Sequence, residues 1–146
     1  MRWSMLGAWI AGTATVLASI IPAFSGVNEP VAIHHLDHSG LILGGVVTAS
    51  LAYSVSAQDG SNATGAWLAS AILAPIAIML LMWPSMYEYL DARPWLHAAE
   101  HVSLAGLGFV AAYSGQRYAR GVGVAIGILT IAMAAVSAGG YGIVAP

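Results

Sequence analysis

The sequence contains no cysteine and no lysine, and charged residues make up only 7% of its 146 positions. Without cysteine the chain forms no disulfide, no thiolate metal site and no covalent attachment to a c-type haem. A soluble domain carries roughly 25% charged residues, so this composition does not suit a globule surrounded by water. The four basic residues are all arginines and form no run, which argues against nucleic acid as a partner.

Apolar residues dominate what remains, at 59% of the chain with a mean hydropathy of +0.80. They fall into five stretches, each close to the roughly 20 residues that a helix needs to cross a bilayer. We therefore predict an all-α fold, a single-domain polytopic membrane bundle of about five transmembrane helices surrounded by lipid. The predicted spans cover residues 3–24, 30–57, 64–83, 94–114 and 118–141.

The breaks between the spans are rich in turn-forming residues. They lie at Ser25–Asn28, Gln58–Asn62, Asp91–Pro94 and Ser114–Arg117. The first span also resembles a secretory signal, with Arg2 before an apolar stretch. We expect this segment to be retained as a helix.

Arginines are concentrated on one predicted side of the bundle. That side carries Arg2, Arg117 and Arg120 against the single acid Asp59, whereas Arg93 is alone on the other side. The acids facing Arg93 are Glu29, Asp37, Glu88, Asp91 and Glu100. The positive-inside bias predicts a cytoplasmic amino terminus and an external carboxyl terminus in a prokaryotic plasma membrane.

All five histidines lie on the acidic side, at the starts of the second and fourth spans. His34, His35 and His38 belong to the second span, and His97 and His101 to the fourth. His34/His38 and His97/His101 are i, i+4 pairs, which stack on one face of a helix. Two such pairs at one depth, with His35 beside the first, predict a metal site of all five histidines, because neutral imidazole is a ligand for copper, zinc and iron.

Other side chains near this end extend the predicted site. Met82 and Met86 approach the same face at the end of the third span, and a thioether beside imidazole suits Cu(I). Asp37 and Glu100 adjoin the histidines in sequence, so either can accept a ring N–H from a ligand histidine or bind the metal directly. Packing is the alternative interpretation of the methionines.

Aromatic and acidic residues near the predicted interfaces have simpler interpretations. We interpret the aromatic ones as interfacial anchors. This group comprises Trp3, Trp83, Trp95, Tyr87, Tyr89 and Tyr141. Glu88 and Asp91 are assigned to a solvated loop.

Two motifs near the histidines resemble a known family. Met82-Trp83-Pro84-Ser85-Met86-Tyr87 followed by Trp95-Leu96-His97-Ala98-Ala99-Glu100-His101 is similar to the CtaG-like membrane proteins of cytochrome c oxidase assembly. The earlier His-x-x-x-His helix of that family corresponds to His34 and His38. The resemblance covers residues 33–109, although Pro84 stands where the family usually has a histidine. It implies an assembly factor or small accessory subunit of a haem-copper oxidase, without catalysis of its own.

Three functions remain open from the sequence. The first is copper handling by the histidines, with transfer to larger respiratory or oxidase subunits by ligand exchange. The second is electron transfer through a b-type haem held axially by His38 and His101. The third is a structural subunit of a larger membrane complex, with no cofactor.

Overall fold

The computed structural model describes residues 3–25, 31–56, 64–119 and 121–144, and these residues form six α-helices. The helices are α1 (Trp3–Ser25), α2 (Val31–Ser56), α3 (Gly65–Leu81), α4 (Pro84–Asp91), α5 (Pro94–Tyr118) and α6 (Val122–Val144). The all-α prediction is confirmed, and each of the five predicted spans corresponds to one long helix. The predicted turns at Ser25–Asn28 and Gln58–Asn62 fall largely outside the described residues.

Two local predictions were wrong. The chain does not turn at Ser114–Arg117, because α5 continues to Tyr118 and the next turn centres on Gly121, whose φ is +91°. The segment with Glu88 and Asp91 is not a loop but the short helix α4. Proline at its first position explains this start, since proline lacks the N–H that a first turn leaves unpaired.

Among the described residues, no single helix is both long enough and apolar enough to span a bilayer. The pair Gly65–Leu81 and Ser85–Asp91 is long and apolar enough when taken together, and its two helices are bent by 71° relative to each other. The residues on which the predicted orientation most depends lie outside the described part of the chain. These are Arg2, Glu29, Asp59 and Arg120.

Helix α5 occupies the centre of the bundle and contacts each of the other five helices. It runs parallel to α2, because His97 contacts His34 near the starts of the two helices and Gln116 contacts Ser50 near their ends. The starts of both helices therefore lie at one end of the molecule. Gly45 and Gly108 allow this contact to be close: a Cβ at Gly45 would overlap the backbone of Ala105, and one at Gly108 would overlap the backbone of Ile42. The two histidine-bearing helices therefore meet backbone to backbone.

Polarity in the bundle is distributed in an unusual way. Beneath the histidines lies a small apolar core of Ile42, Ile78, Met82 and Leu104. His35, His38 and His101 are at most 1% exposed, whereas large aliphatic side chains cover the outside. Among these outward-facing residues are Ile10, Ile21, Leu73, Leu80, Ile128 and Val136, each at least 60% exposed.

Candidate metal centre

Four histidines from two helices converge at the end of the bundle. One ligand nitrogen from each of His34, His38, His97 and His101 can be chosen so that all four lie within 4.8 Å of one another. His34 and His38 come from α2, and His97 and His101 from α5. Each pair stacks along its helix, with ring centroids 4.6 Å apart in the first pair and 4.2 Å apart in the second. The predicted convergence of the two pairs is present in the structure.

His97 is oriented by a carboxylate on one side and by another imidazole on the other. Its Nδ1 lies 3.6 Å from Oδ1 of Asp91, and its Nε2 lies 2.9 Å from Nε2 of His34. With hydrogen on Nδ1 of His97, facing the carboxylate, His34 donates from Nε2 and His97 accepts. This tautomer directs the Nε2 lone pair of His97 into the cluster.

His101 is oriented by the backbone of α1. Its Nδ1 lies 3.0 Å from the carbonyl oxygen of Ser19, which fixes the hydrogen on Nδ1 because a carbonyl only accepts. Its Nε2 is buried and has no hydrogen-bond partner among the described residues. A metal-ligating histidine commonly donates its second ring N–H to such a carbonyl or carboxylate. His101 shows this arrangement, and the Asp91 carboxylate lies 3.6 Å from the corresponding nitrogen of His97.

His38 is the most deeply enclosed of the four. Its side chain is fully buried, and neither ring nitrogen has a hydrogen-bond partner among the described residues. Its ring lies 4.6 Å from that of His34 and 4.8 Å from that of His101, measured between centroids. Burying a polar group without a partner costs free energy, so a bound cation would offset a cost that the fold otherwise bears.

The spacing of the four nitrogens is close to that of a tetrahedral ion site. Zinc–imidazole bonds of about 2.0–2.1 Å place the nitrogens of a tetrahedral site roughly 3.3 Å apart. The observed upper limit of 4.8 Å is wider, and the contact of 2.9 Å between His34 and His97 is tighter. Ring movements on the order of 1 Å convert one arrangement into the other.

His35, the fifth histidine, is buried behind the four. Its ring packs on that of Tyr87 with centroids 4.6 Å apart, and it meets His38 edge to face at 5.6 Å. It is not part of the group of four whose ligand nitrogens converge. The structure therefore places His35 in the wall of the site.

The other predicted site residues surround the cluster at different depths. Met82 lies in the apolar core, and Met86 lines a groove with Leu107 and Val110 on the outer face of α5. Glu100 is 2% exposed, and its oxygens have no hydrogen-bond partner among the described residues. Asp37 is exposed and borders a cavity that reaches His34 and His101. That these four residues bind or orient a metal stays a prediction.

Two side chains that border the cluster were not predicted from the sequence to do so, and both lie on α4. Asp91 faces His97, as described above. Tyr87, interpreted as an interfacial anchor, is buried at 7% exposure and its ring contacts those of His34, His35 and His38. By contrast Trp3, Trp83, Trp95 and Tyr89 are more than half exposed, while the side chain of Tyr141 lies outside the described residues.

Comparison of the chain with models of known protein families, with characterised proteins and with solved structures found no match. The resemblance to the CtaG-like family thus gains no support from these comparisons.

Proposed function

We propose that this protein is a membrane-embedded metal-binding protein that holds one transition-metal ion between His34, His38, His97 and His101. The observation that carries the proposal is the convergence of one nitrogen from each of four imidazoles, three of them buried and His34 half-buried, within 4.8 Å. The hydrogen bond of His101 to Ser19 and the proximity of His97 to Asp91 favour tautomers whose Nε2 atoms face that centre.

Location in a bilayer is supported by the distribution of polarity. Imidazoles occupy the interior, and the outer surface is formed by side chains such as Ile10, Leu80 and Val136. Exposed apolar surface on this scale is unfavourable in water and favourable against lipid. The polar cluster inside the bundle is then the arrangement expected for ionisable groups at membrane depth.

Copper is the ion that we propose for the site. An all-imidazole ligand set suits Cu, Zn, Fe and Ni, and among divalent ions Cu²⁺ binds such donors most tightly. The role would be to hold the ion and release it by ligand exchange to a partner subunit. The link to a haem-copper oxidase rests on the resemblance of residues 33–109 alone.

The ring packing favours a single ion over a b-type haem. The rings of His38 and His101 lie edge to face at 79°, with centroids 4.8 Å apart. Axial haem ligation needs a flat macrocycle between the two imidazoles, with each nitrogen roughly 2 Å from the iron. Here the His34 ring contacts both of these rings, so the four imidazoles form one compact group.

Elemental analysis and an absorption spectrum of the protein purified from membranes test the proposal. We expect one copper per chain, lost in His38→Ala and retained in His35→Ala, because both side chains are buried but only His38 belongs to the group of four. Recovery in the soluble fraction would refute the membrane assignment. A Soret band lost in His38→Ala would show that the cofactor is haem instead.

A further inference from the structure

A groove between α1 and α2 reaches the candidate metal centre from the side. It has a volume of about 570 Å³, and its walls include Ala14 and Ala18 from α1 and Asp37 and Gly40 from α2. Two of the four histidines, His34 and His101, also line it. We call this feature the α1–α2 groove.

Described residues cover the cluster on two other sides. The apolar core containing Ile42 and Leu104 lies one turn below His38 and His101. On the α4 side the Tyr87 ring contacts those of His34, His35 and His38. His38 itself is fully buried, whereas its neighbours His34 and His101 line the α1–α2 groove. The groove therefore gives an ion access to two of the four ligand side chains.

The lining of the groove suits the passage of a cation. Small residues such as Ala14, Ala18 and Gly40 form part of its walls, and a Cβ added at Gly40 would meet no atom within 4 Å, so the space beside Gly40 is open. Asp37, one helical turn from His34, places an exposed carboxylate in the lining. A carboxylate in a cleft with apolar walls raises the local concentration of cations and their rate of association.

We propose that the α1–α2 groove is the route by which the metal ion enters and leaves the four-histidine site, with Asp37 attracting the ion at its mouth. This inference rests on the proposed metal-binding function. It assigns to Asp37 a role in the rate of binding, distinct from that of a ligand or of a carboxylate that orients a histidine. His34 and His101 are the first ligands that an incoming ion meets.

Obstructing the groove tests the route. Gly40→Leu places a side chain in the groove, and its Cβ meets no atom within 4 Å. Gly106→Leu is the matched control, because Gly106 is also an exposed helical glycine with no atom within 4 Å of an added Cβ, and it lines the separate groove beside Met86. Ala18→Leu, at an exposed position on the opposite wall, is a second obstruction that leaves α2 unchanged.

The readout is stopped-flow absorbance of Co²⁺ binding to the full chain in lipid nanodiscs, with dissociation followed after addition of chelator. We expect Gly40→Leu and Ala18→Leu to slow association and dissociation by the same factor, on the order of tenfold, and to leave the dissociation constant unchanged. Gly106→Leu should match the wild type. Equal rates in Gly40→Leu and Gly106→Leu would overturn the route.

Removing the charge of Asp37 tests its proposed role in attracting the ion to the groove. We expect Asp37→Asn to slow association several-fold and to leave the dissociation rate unchanged, with a larger effect at low ionic strength. Glu88→Gln removes another exposed carboxylate and should have no effect. Faster dissociation in Asp37→Asn would make Asp37 a ligand and contradict the proposal.

If the wild type shows no Co²⁺ spectrum, the proposed function itself fails. If the wild type binds Co²⁺ but Gly40→Leu does not slow binding, only the proposed route fails.

Discussion

Removal of the Asp91 side chain tests whether α4 contributes to the metal centre. Oδ1 of Asp91 lies 3.6 Å from Nδ1 of His97, and the aspartate side chain is 48% exposed. In the metal-bound state the carboxylate would hold the His97 ring with Nε2 directed at the ion. Asp91→Ala leaves all four ligands in place and removes only this orienting contact.

The magnitude follows from the distance and the exposure. A pair of unit charges 3.6 Å apart interacts with about 1 kcal/mol in water and about 5 kcal/mol at an effective dielectric constant of 20, which is an upper limit here because a ligand imidazole is neutral. Because nearly half of the Asp91 side chain is exposed, the lower end of this range applies. A loss of about 1.4 kcal/mol is a tenfold loss of affinity, the lower limit of what removing an orienting partner of a ligand histidine typically costs.

Competitive titration against a chromophoric chelator measures this change. Glu88→Ala, which removes another exposed carboxylate from α4, is the matched control and should bind with wild-type affinity. We expect the dissociation constant of Asp91→Ala to rise about tenfold. If Asp91→Ala and Glu88→Ala bind equally, the contact between Asp91 and His97 has no role in binding and the assignment is wrong.

Three further predictions follow from the packing and the chemistry of the site. Gly108→Val should destabilise the bundle by about 1–3 kcal/mol, because its Cβ would overlap the backbone of Ile42. Gly106→Val is the control, because the space beside Gly106 is open and no such overlap arises, and thermal unfolding in detergent compares the two variants. Metal affinity should fall as the pH is lowered, because protons compete for the imidazole lone pairs, and an affinity that is constant from pH 8 to pH 5 would argue against histidine ligands. Removal of the ion by dialysis against chelator should lower the thermal midpoint, by an amount that reflects about 2.7 kcal/mol if the ion had been present at a hundred times its dissociation constant; an unchanged midpoint would show that the ion does not bind the folded state preferentially.

The histidine pairs could be predicted because they depend on helix periodicity and on the alternation of helix direction. A spacing of four residues places His34 over His38 and His97 over His101 whatever the tertiary structure. The second and fourth long helices of an alternating bundle start at the same end. The direct contact of α2 and α5 places the two pairs together.

The residues that orient the histidines could not be predicted in the same way. Ser19 acts through its backbone carbonyl, which every residue possesses and which leaves no mark in the sequence. Asp91 reaches His97 because the chain bends by 71° between α3 and α4, and that angle depends on how α4 packs against α5. The predicted third span ends at residue 83, directly before Pro84, but the sequence does not indicate that a new helix starts there.

The backbone contact between α2 and α5 has a consequence for how the protein would respond to its ion. Each helix carries its two imidazoles as a unit, so any separation of Gly45 from Ala105 moves two donors away from the other two at once. Ion binding and the packing of α2 against α5 would then be thermodynamically coupled. By reciprocity, each would stabilise the other by the same free energy. A partner that separates the two helices would move all four ligand nitrogens at once, and the ion would be released as a result of that helix movement.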